Sequence, residues 1–180
     1  MPLNLFELSL LQKMHDAVQC AFLDRLAVIL SVPGNAGMIF IALAVLLLCF
    51  KKTRLCGAVM ATALIFDVVL VNGCLKPLIA RTRPYELGVA LKLLIAHPND
   101  HSFPSGHTAA AFAAAAAASV GPKKLHTALL VYAGLMGLSR MYLMMHYPTD
   151  VLGGALCGAL CGLAAVELWK RLSKTKGVEC

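Results

Sequence analysis

The chain has 180 residues, of which 59% are hydrophobic and only 14% are charged, and its formal net charge is +7. A soluble domain carries about a quarter charged residues, so this composition excludes an ordinary water-soluble domain and indicates an integral membrane protein. The basic residues stand in small groups at the ends of apolar runs, which argues against binding of nucleic acid.

Two short helices are expected at the N-terminus. Residues 3–20 mix leucines with charged residues such as Glu7 and Asp16, and this charge density suits an amphipathic helix in the membrane interface better than a span. A second helical piece covers 22–31 and ends before a Pro-Gly pair. We therefore assign residues 1–31 to interfacial N-terminal helices.

Five apolar runs follow, and they approach the roughly 20 residues that a helix needs to cross a bilayer. The expected fold class is an all-α, polytopic transmembrane helix bundle with about five spans, or six if the N-terminal helices insert. It forms a single domain over residues 1–180. The spans are expected at about 35–50, 55–75, 105–120, 125–143 and 149–169, and a polar loop covers 76–104.

The distribution of basic residues predicts the orientation of the bundle. One side carries Lys51, Lys52, Arg54, Lys123, Lys124, Lys170, Arg171, Lys174 and Lys176, and the positive-inside rule makes that side cytoplasmic. The opposite, extracytoplasmic side of the cell membrane carries Lys76, Arg81, Arg83, Lys92 and Arg140. Orientation does not explain these five cations, so we predict an anionic ligand there. Contact with lipid headgroups is the alternative.

Small residues in two spans predict close helix packing. Gly154, Gly158 and Gly162 recur at four-residue intervals in the last span, and alanines fill 109–118 in the third. Such smooth strips allow helix backbones to approach closely in a membrane.

Three polar stretches are expected to meet on the extracytoplasmic side: KPLIARTRP (76–84), PSGH (104–107) and SRMYLMMHYPTD (139–150). In them, Lys76, Arg83 and Arg140 supply positive charge, and the arginines are suited to forked contacts with phosphate oxygens. Backbone N–H groups of Ser105 and Gly106 are expected to point outward at a helix N-terminus, which favours anions. Together these residues predict a phosphate-binding site.

Two histidines and a carboxylate complete the predicted site. His146 and Asp150 are four residues apart, so Asp150 is placed to orient the imidazole and leave its other nitrogen free as a nucleophile. His107, at the start of the third span, is placed to protonate the leaving oxygen as a general acid.

A metal-dependent mechanism is less favoured. Two-metal phosphatases need several bridging ligands, whereas the extracytoplasmic side offers only Glu86, Asp100 and Asp150 as acids. His97, Asp100 and His101 are a candidate set for one ion, but we interpret them as part of a polar loop.

The three motifs, in this order, resemble those of the type 2 phosphatidic acid phosphatase family, which shares its core with vanadium haloperoxidases. They are K-x6-R-P (76–84), PSGH (104–107) and S-R-x5-H-x3-D (139–150). The resemblance implies a phosphatase with no metal or other cofactor that works through a phosphohistidine. It makes His146 the nucleophile, Asp150 its partner and His107 the acid. The implied phosphate-binding residues are Lys76, Arg83, Ser105, Gly106 and Arg140.

Four further residues are assigned auxiliary roles. Arg81 is either an additional ligand contact or a headgroup anchor, and Asn72 is expected to support Lys76. Tyr85 and Tyr147 flank motif residues and are candidate substrate contacts.

The compact chain is similar to small bacterial members of this family that dephosphorylate undecaprenyl diphosphate, which implies a lipid substrate presented by the bilayer. Phosphatidylglycerophosphate, phosphatidic acid, lipid A phosphates and transfer of phosphate between lipids remain alternatives, and the oligomeric state is left open. A lipid or anion transporter is disfavoured because the sequence shows no repeated halves with broken helices.

Overall fold

The computed structural model describes residues 3–87, 94–96 and 98–175, and every regular element within them is helical. This confirms the predicted all-α bundle. The α-helices are α1 (Leu3–Val18), α2 (Ala21–Ser31), α3 (Met38–Cys49), α4 (Arg54–Asp67), α5 (Lys76–Ile79), α6 (Gly106–Ala117), α7 (Lys123–Tyr142) and α8 (Pro148–Thr175).

Within the described residues, three helical stretches are long and apolar enough to cross a membrane: Ala21–Cys49, Arg54–Leu87 and Pro148–Thr175. A shorter apolar helix covers Gly106–Val120, and α7, with 20 residues, lies between it and α8. The predicted spans therefore correspond to helices, although α8 extends beyond the predicted end at 169.

The first of these stretches begins earlier than predicted, because it includes α2. A short turn at Val32–Gly37 joins α2 to α3, and in this turn Asn35 leaves the helical conformation with a ψ of 129°. Phe22 and Ile29 of α2 are largely exposed on the protein surface, as expected for side chains that face lipid. By length and composition, residues 22–31 thus form part of this apolar stretch.

Helix α1 has one buried edge, and it lies close to the loop that follows α7. Leu8 and Leu11 pack against Met144 and Tyr147, whereas Leu3 and other apolar residues of α1 remain exposed. Glu7 shares the buried edge. The N-terminal helix is therefore in contact with the segment that carries His146.

Helices α6 and α8 pack with their backbones almost in contact, as the small residues predicted. A Cβ added at Gly158 would lie 2.0 Å from the carbonyl oxygen of Ala109, and one at Gly154 would lie 2.5 Å from that of Ser105. Lipid provides little hydrophobic force between helices, so this close packing is what stabilises the pair. It also aligns their N-terminal ends, where the Ser105 N–H donates to the Asp150 carbonyl at 3.0 Å.

Helix α4 is followed by a π-helical segment, Val68–Leu75, that leads into the single turn of α5. Such widened turns are frequent at functional sites. Ala80 then adopts a left-handed conformation with a φ of 47° and ends the helix. This break turns the chain across the end of the bundle, so that Lys76 and Arg83 reach the same cavity.

Candidate active site

The predicted cations and histidines surround one cavity of about 630 Å³ at the end of the bundle. Lys76, Arg83, His107, Arg140 and His146 all line it. They come from the start of α5, the following loop, the start of α6, the end of α7 and the loop before α8. The structure thus brings together residues that are up to 70 positions apart in the sequence.

The hydrogen bonds of His146 define one tautomer. Its Nδ1 lies 2.8 Å from the carbonyl oxygen of Ser102, which can only accept a hydrogen bond. Its Nε2 lies 3.2 Å from the NH1 donor of Arg83. Nδ1 therefore carries the proton, and the lone pair of Nε2 lies on the side of Arg83.

Burial, together with the nearby Arg83 and Arg140 charges, lowers the pKa of His146 to about 3 against the opposing effect of Asp150. The imidazole is accordingly neutral at neutral pH. A neutral imidazole with a free Nε2 has the protonation state that a nucleophile requires.

Asp150 orients His146 less directly than predicted. Its Oδ2 lies 3.6 Å from Nδ1 of His146, which is too far for a good hydrogen bond. Oδ2 accepts instead from the Ser102 hydroxyl at 2.5 Å and from the Tyr147 N–H at 2.9 Å. Ser102 thus contacts both groups, because its carbonyl oxygen accepts from His146.

Arg83 is almost completely buried, with 2% of its surface exposed. Besides His146, it donates from NH1 to the Met145 carbonyl at 2.9 Å and from NH2 to the Asp100 carboxylate at 2.5 Å. Its guanidinium is therefore fixed beside Nε2 before any ligand binds.

Asp100, interpreted from the sequence as an ordinary loop residue, pairs with two of the predicted phosphate-binding residues. Its carboxylate contacts both Lys76 and Arg83. Burial acts to raise the pKa of Asp100, but the hydrogen bonds and charges of Lys76 and Arg83 outweigh it and hold the pKa at about 2. Asp100 thus places an anion among the cations of the cavity.

The N-terminus of α6 differs from the prediction at Ser105. Its N–H donates to the Asp150 carbonyl, and its hydroxyl pairs with Thr108 at 3.0 Å. This N–H is therefore not directed at a ligand, because the close packing of α6 on α8 gives it a backbone partner. Gly106 does face the site, since a Cβ there would lie 3.6 Å from Nζ of Lys76.

His107 and Arg140 both contact the turn and helix that precede α3. Nε2 of His107 lies 2.9 Å from the amide oxygen of Asn35, and NH1 of Arg140 donates to the buried Ser31 hydroxyl. Nε of Arg140 has no hydrogen-bond partner among the described residues. A buried guanidinium with an unused donor at a cavity is suited to an additional anion.

The four auxiliary residues have distinct surroundings. Arg81 pairs with Asp150 at 2.5 Å. Tyr147 is fully buried beneath it, 4.1 Å from the guanidinium carbon to the ring centre. Asn72 lies close to Gly106 and lines a second cavity that also contains Lys76. The Tyr85 hydroxyl donates to the Pro98 carbonyl at 3.1 Å.

Sequence reasoning missed several residues that contact the predicted site, among them Glu7, Ser31, Asn35 and Ser102. Only Glu7 carried a usable signal, because it is adjacent to Leu8 and one helical turn from Leu11 on the buried edge of α1. The others have ordinary polar side chains outside the motifs.

Three residues named above, Lys92, His97 and Lys176, lie outside the described residues. His101 contacts Arg83 through its carbonyl oxygen at 3.4 Å. Within the described part of the chain, no three His, Cys, Asp or Glu side chains are grouped so as to hold a metal ion.

Comparison with known proteins identifies the family. Residues 51–174 match the model of the PAP2 superfamily. An undecaprenyl-diphosphatase from Sulfolobus acidocaldarius is 31% identical over 157 residues, which are 87% of this chain and 75% of that protein.

Two solved structures share the fold. LpxE from Aquifex aeolicus superposes with a TM-score of 0.75 at 30% identity, covering 89% of this chain and 94% of LpxE. A transmembrane PAP2-type phosphatidylglycerolphosphate phosphatase from Bacillus subtilis superposes with a TM-score of 0.74 at 26% identity, covering 92% of this chain and 85% of the phosphatase. The chain therefore belongs to the PAP2 superfamily and is a membrane-embedded lipid phosphatase of the PAP2 type.

Proposed function

We propose that the protein removes the terminal phosphate of a membrane lipid diphosphate, with undecaprenyl diphosphate converted to undecaprenyl phosphate, without a metal ion. The observation that carries this proposal is the neutral His146, whose Nε2 lies beside Arg83 in a cavity that Lys76 and Arg140 also line. A nucleophile next to fixed cations is the arrangement that phosphoryl transfer requires.

In the first step, Nε2 of His146 attacks the terminal phosphorus. A P–N bond forms as the bond from phosphorus to the bridging oxygen breaks, and undecaprenyl phosphate leaves. His107 donates a proton to that oxygen as general acid. Lys76, Arg83 and Arg140 balance the charge on the transferred group, together with the first-turn N–H groups at Gly106.

In the second step, a water molecule attacks the phosphohistidine. His107 takes one proton from this water, the P–N bond breaks, and inorganic phosphate is released with neutral His146 restored. The Ser102 carbonyl keeps the proton on Nδ1 throughout, while Asp150 supplies negative charge that stabilises the positively charged imidazole in the intermediate.

We place this reaction at the extracytoplasmic face of the cell membrane. The basic residues between α3 and α4, at the start of α7 and at the end of α8 lie at the opposite helix ends from the cavity, which supports the positive-inside orientation. Val28, Val32 and Ile95 add an apolar wall to the cavity, suited to the lipid next to its headgroup.

The preference for undecaprenyl diphosphate rests on the relative from Sulfolobus acidocaldarius that bears the name undecaprenyl-diphosphatase. Phosphatidylglycerophosphate, phosphatidic acid and lipid A phosphates present a similar anion and are the competing substrates. Transfer of the phosphate to a second lipid would use the same residues, with that lipid replacing water.

The test is phosphate release by purified protein in detergent, in the presence of a chelator, from a panel of these lipids. We expect the largest kcat/KM for undecaprenyl diphosphate and a loss of more than about 10³-fold for His146→Ala. His126→Ala is the matched control, because His126 lies at the start of α7, away from the cavity.

Four outcomes would contradict parts of this proposal. Full turnover by His146→Ala would exclude the phosphohistidine mechanism, and loss of activity on all substrates with chelator would revive a metal-dependent one. A larger kcat/KM for another lipid would change the substrate. Binding of these lipids without any phosphate release would indicate a non-enzymatic carrier.

A further inference from the structure

Helix α1 carries a carboxylate on its buried edge. Only 3% of the surface of Glu7 is exposed, although most of α1 is open to its surroundings. Burying a carboxylate is unfavourable unless charges and hydrogen bonds compensate it. The contacts of Glu7 therefore indicate what holds it there.

Glu7 binds both Arg81 and the first turn of α8. Its Oε2 accepts from NH2 of Arg81 at 2.5 Å and from the Thr149 hydroxyl at 2.9 Å. Its Oε1 accepts from the Thr149 N–H at 2.9 Å. This N–H belongs to the first turn of α8, so it has no carbonyl partner within the helix. The N-terminus of a helix also favours a nearby negative charge.

Arg81 connects Glu7 to Asp150. While NH2 contacts Glu7, NH1 donates to Oδ1 of Asp150 at 2.5 Å, and the guanidinium lies over the ring of Tyr147. Asn4 accepts from Nε and NH2 at 3.1 and 2.8 Å. These contacts fix the planar guanidinium of Arg81 in one position.

Two carboxylates thus share one arginine behind His146. If Arg81 faced Asp150 alone, its charge would neutralise the carboxylate that stabilises the imidazolium form of His146. Glu7 supplies a second negative charge to Arg81, so Asp150 retains electrostatic influence on His146, which lies 3.6 Å away. Because water screens charges little in a buried site, the sharing of Arg81 by Glu7 and Asp150 has a large effect on the electrostatic potential at His146.

We propose that Glu7 is a positioning residue for the phosphohistidine reaction, acting through Arg81 to hold Asp150 in place and to keep its negative charge available to His146. The N-terminal helix is then part of the catalytic unit rather than only a membrane contact. This inference rests on the proposed function, because it gives Asp150 and His146 their roles there.

The test compares Glu7→Gln with Asp16→Asn in the full-length protein, using the undecaprenyl diphosphate assay. Both substitutions remove one negative charge from α1, but Asp16 is exposed. We expect kcat for Glu7→Gln to fall about 10- to 100-fold, the range of a buried charge-assisted hydrogen bond, with KM and inhibition by orthovanadate nearly unchanged. Asp16→Asn is expected to retain the wild-type kcat.

A second arm tests whether Glu7 acts through Arg81. In an Arg81→Gln background, adding Glu7→Gln is expected to cause no further loss of kcat, because the residue that transmits the effect is already absent. An undiminished loss in that background would overturn the inference. So would an unchanged kcat for Glu7→Gln, or a loss fully explained by a smaller folded fraction in gel filtration and thermal unfolding.

The same assay separates this inference from the proposed function. If His146→Ala is inactive while Glu7→Gln retains full kcat, only the role of Glu7 is wrong. If His146→Ala retains turnover, the phosphohistidine mechanism is wrong, and the positioning role of Glu7 falls with it.

Discussion

The two sides of His146 differ in charge and in access to solvent. On the cavity side, Lys76, Arg83 and Arg140 face one carboxylate, that of Asp100, which is partly exposed. On the opposite side, Glu7 and Asp150 share Arg81, and all three side chains are at most 10% exposed. Cations thus outnumber carboxylates on the cavity side, where an anion would bind. Carboxylates outnumber cations on the buried side, where they stabilise the imidazole of His146.

This difference shows how one histidine is prepared for a charged substrate. The excess of cations attracts phosphate but lowers the affinity of His146 for a proton. The carboxylates on the buried side compensate for that effect once the imidazole becomes positively charged in the intermediate. The predictions that follow remove charges from one side at a time.

The largest effect is expected for Asp150→Asn on the buried side. The amide retains the size of Asp150 but removes its charge, so that Glu7 is the carboxylate left to pair with Arg81. Its NH₂ group would also face a donor, either Arg81 or the Ser102 hydroxyl and the Tyr147 N–H. We expect kcat to fall by about 10³- to 10⁴-fold, as for the aspartate of a Ser-His-Asp triad. Phosphate release under saturating substrate measures this, and Glu167→Gln on the exposed face of α8 is the control. A loss below tenfold would show that Ser102 suffices to orient His146.

A smaller loss is expected for Arg83→Lys on the cavity side. Lysine keeps the charge but cannot reproduce the separate contacts of NH1 with His146 and of NH2 with Asp100. We expect kcat/KM to fall by about 10²- to 10³-fold, the range for loss of one donor that stabilises a transition state. Arg171→Lys, with a side chain that is 77% exposed, is expected to have no effect. Activity within a factor of three of wild type would argue that charge alone is required.

Asp100→Asn is expected to change KM by only a few-fold. The Asp100 carboxylate and the substrate phosphate compete for Lys76 and Arg83, so removing the charge should lower KM and the inhibition constant of inorganic phosphate. Initial rates at several phosphate concentrations measure both quantities. Glu86→Gln is the control, because among the described residues the Glu86 carboxylate accepts from the backbone N–H of Arg83 and not from its guanidinium. A higher KM would instead show that Asp100 holds the two cations in position.

The smallest effect is expected on acidification. His146 has a pKa lowered to about 3, so its nucleophilic, neutral form persists as the pH falls through 6.5, the ordinary histidine value. We expect the acid limb of kcat/KM, corrected for ionisation of the substrate phosphate, to lie well below that pH. The measurement is kcat/KM between pH 4 and 9 in detergent. A limb at an ordinary histidine value would mean that burial and the cavity charges leave the pKa of His146 unperturbed.

The helices and the cavity side of the site could be predicted from the sequence to a large extent. Apolar runs and small-residue spacing are local signals, and they correctly indicated the helical bundle and the close helix packing at the small residues of α6 and α8. Motif spacing placed Lys76, Arg83, His107, Arg140 and His146 at one end of the bundle, where they line one cavity. The start of the first apolar stretch was misjudged, because the Pro-Gly pair was interpreted as a boundary rather than a turn within it.

The buried side of the site was decided by tertiary structure. Glu7 is 143 positions from Asp150 in the sequence, and only the packing of α1 against the loop before α8 brings both to Arg81. The Ser105 N–H likewise donates to the Asp150 carbonyl oxygen because α6 and α8 pack so closely. Composition and motif spacing determine which side chains lie at the end of the bundle. Which hydrogen bonds they form depends on contacts between distant segments, and no local pattern encodes these.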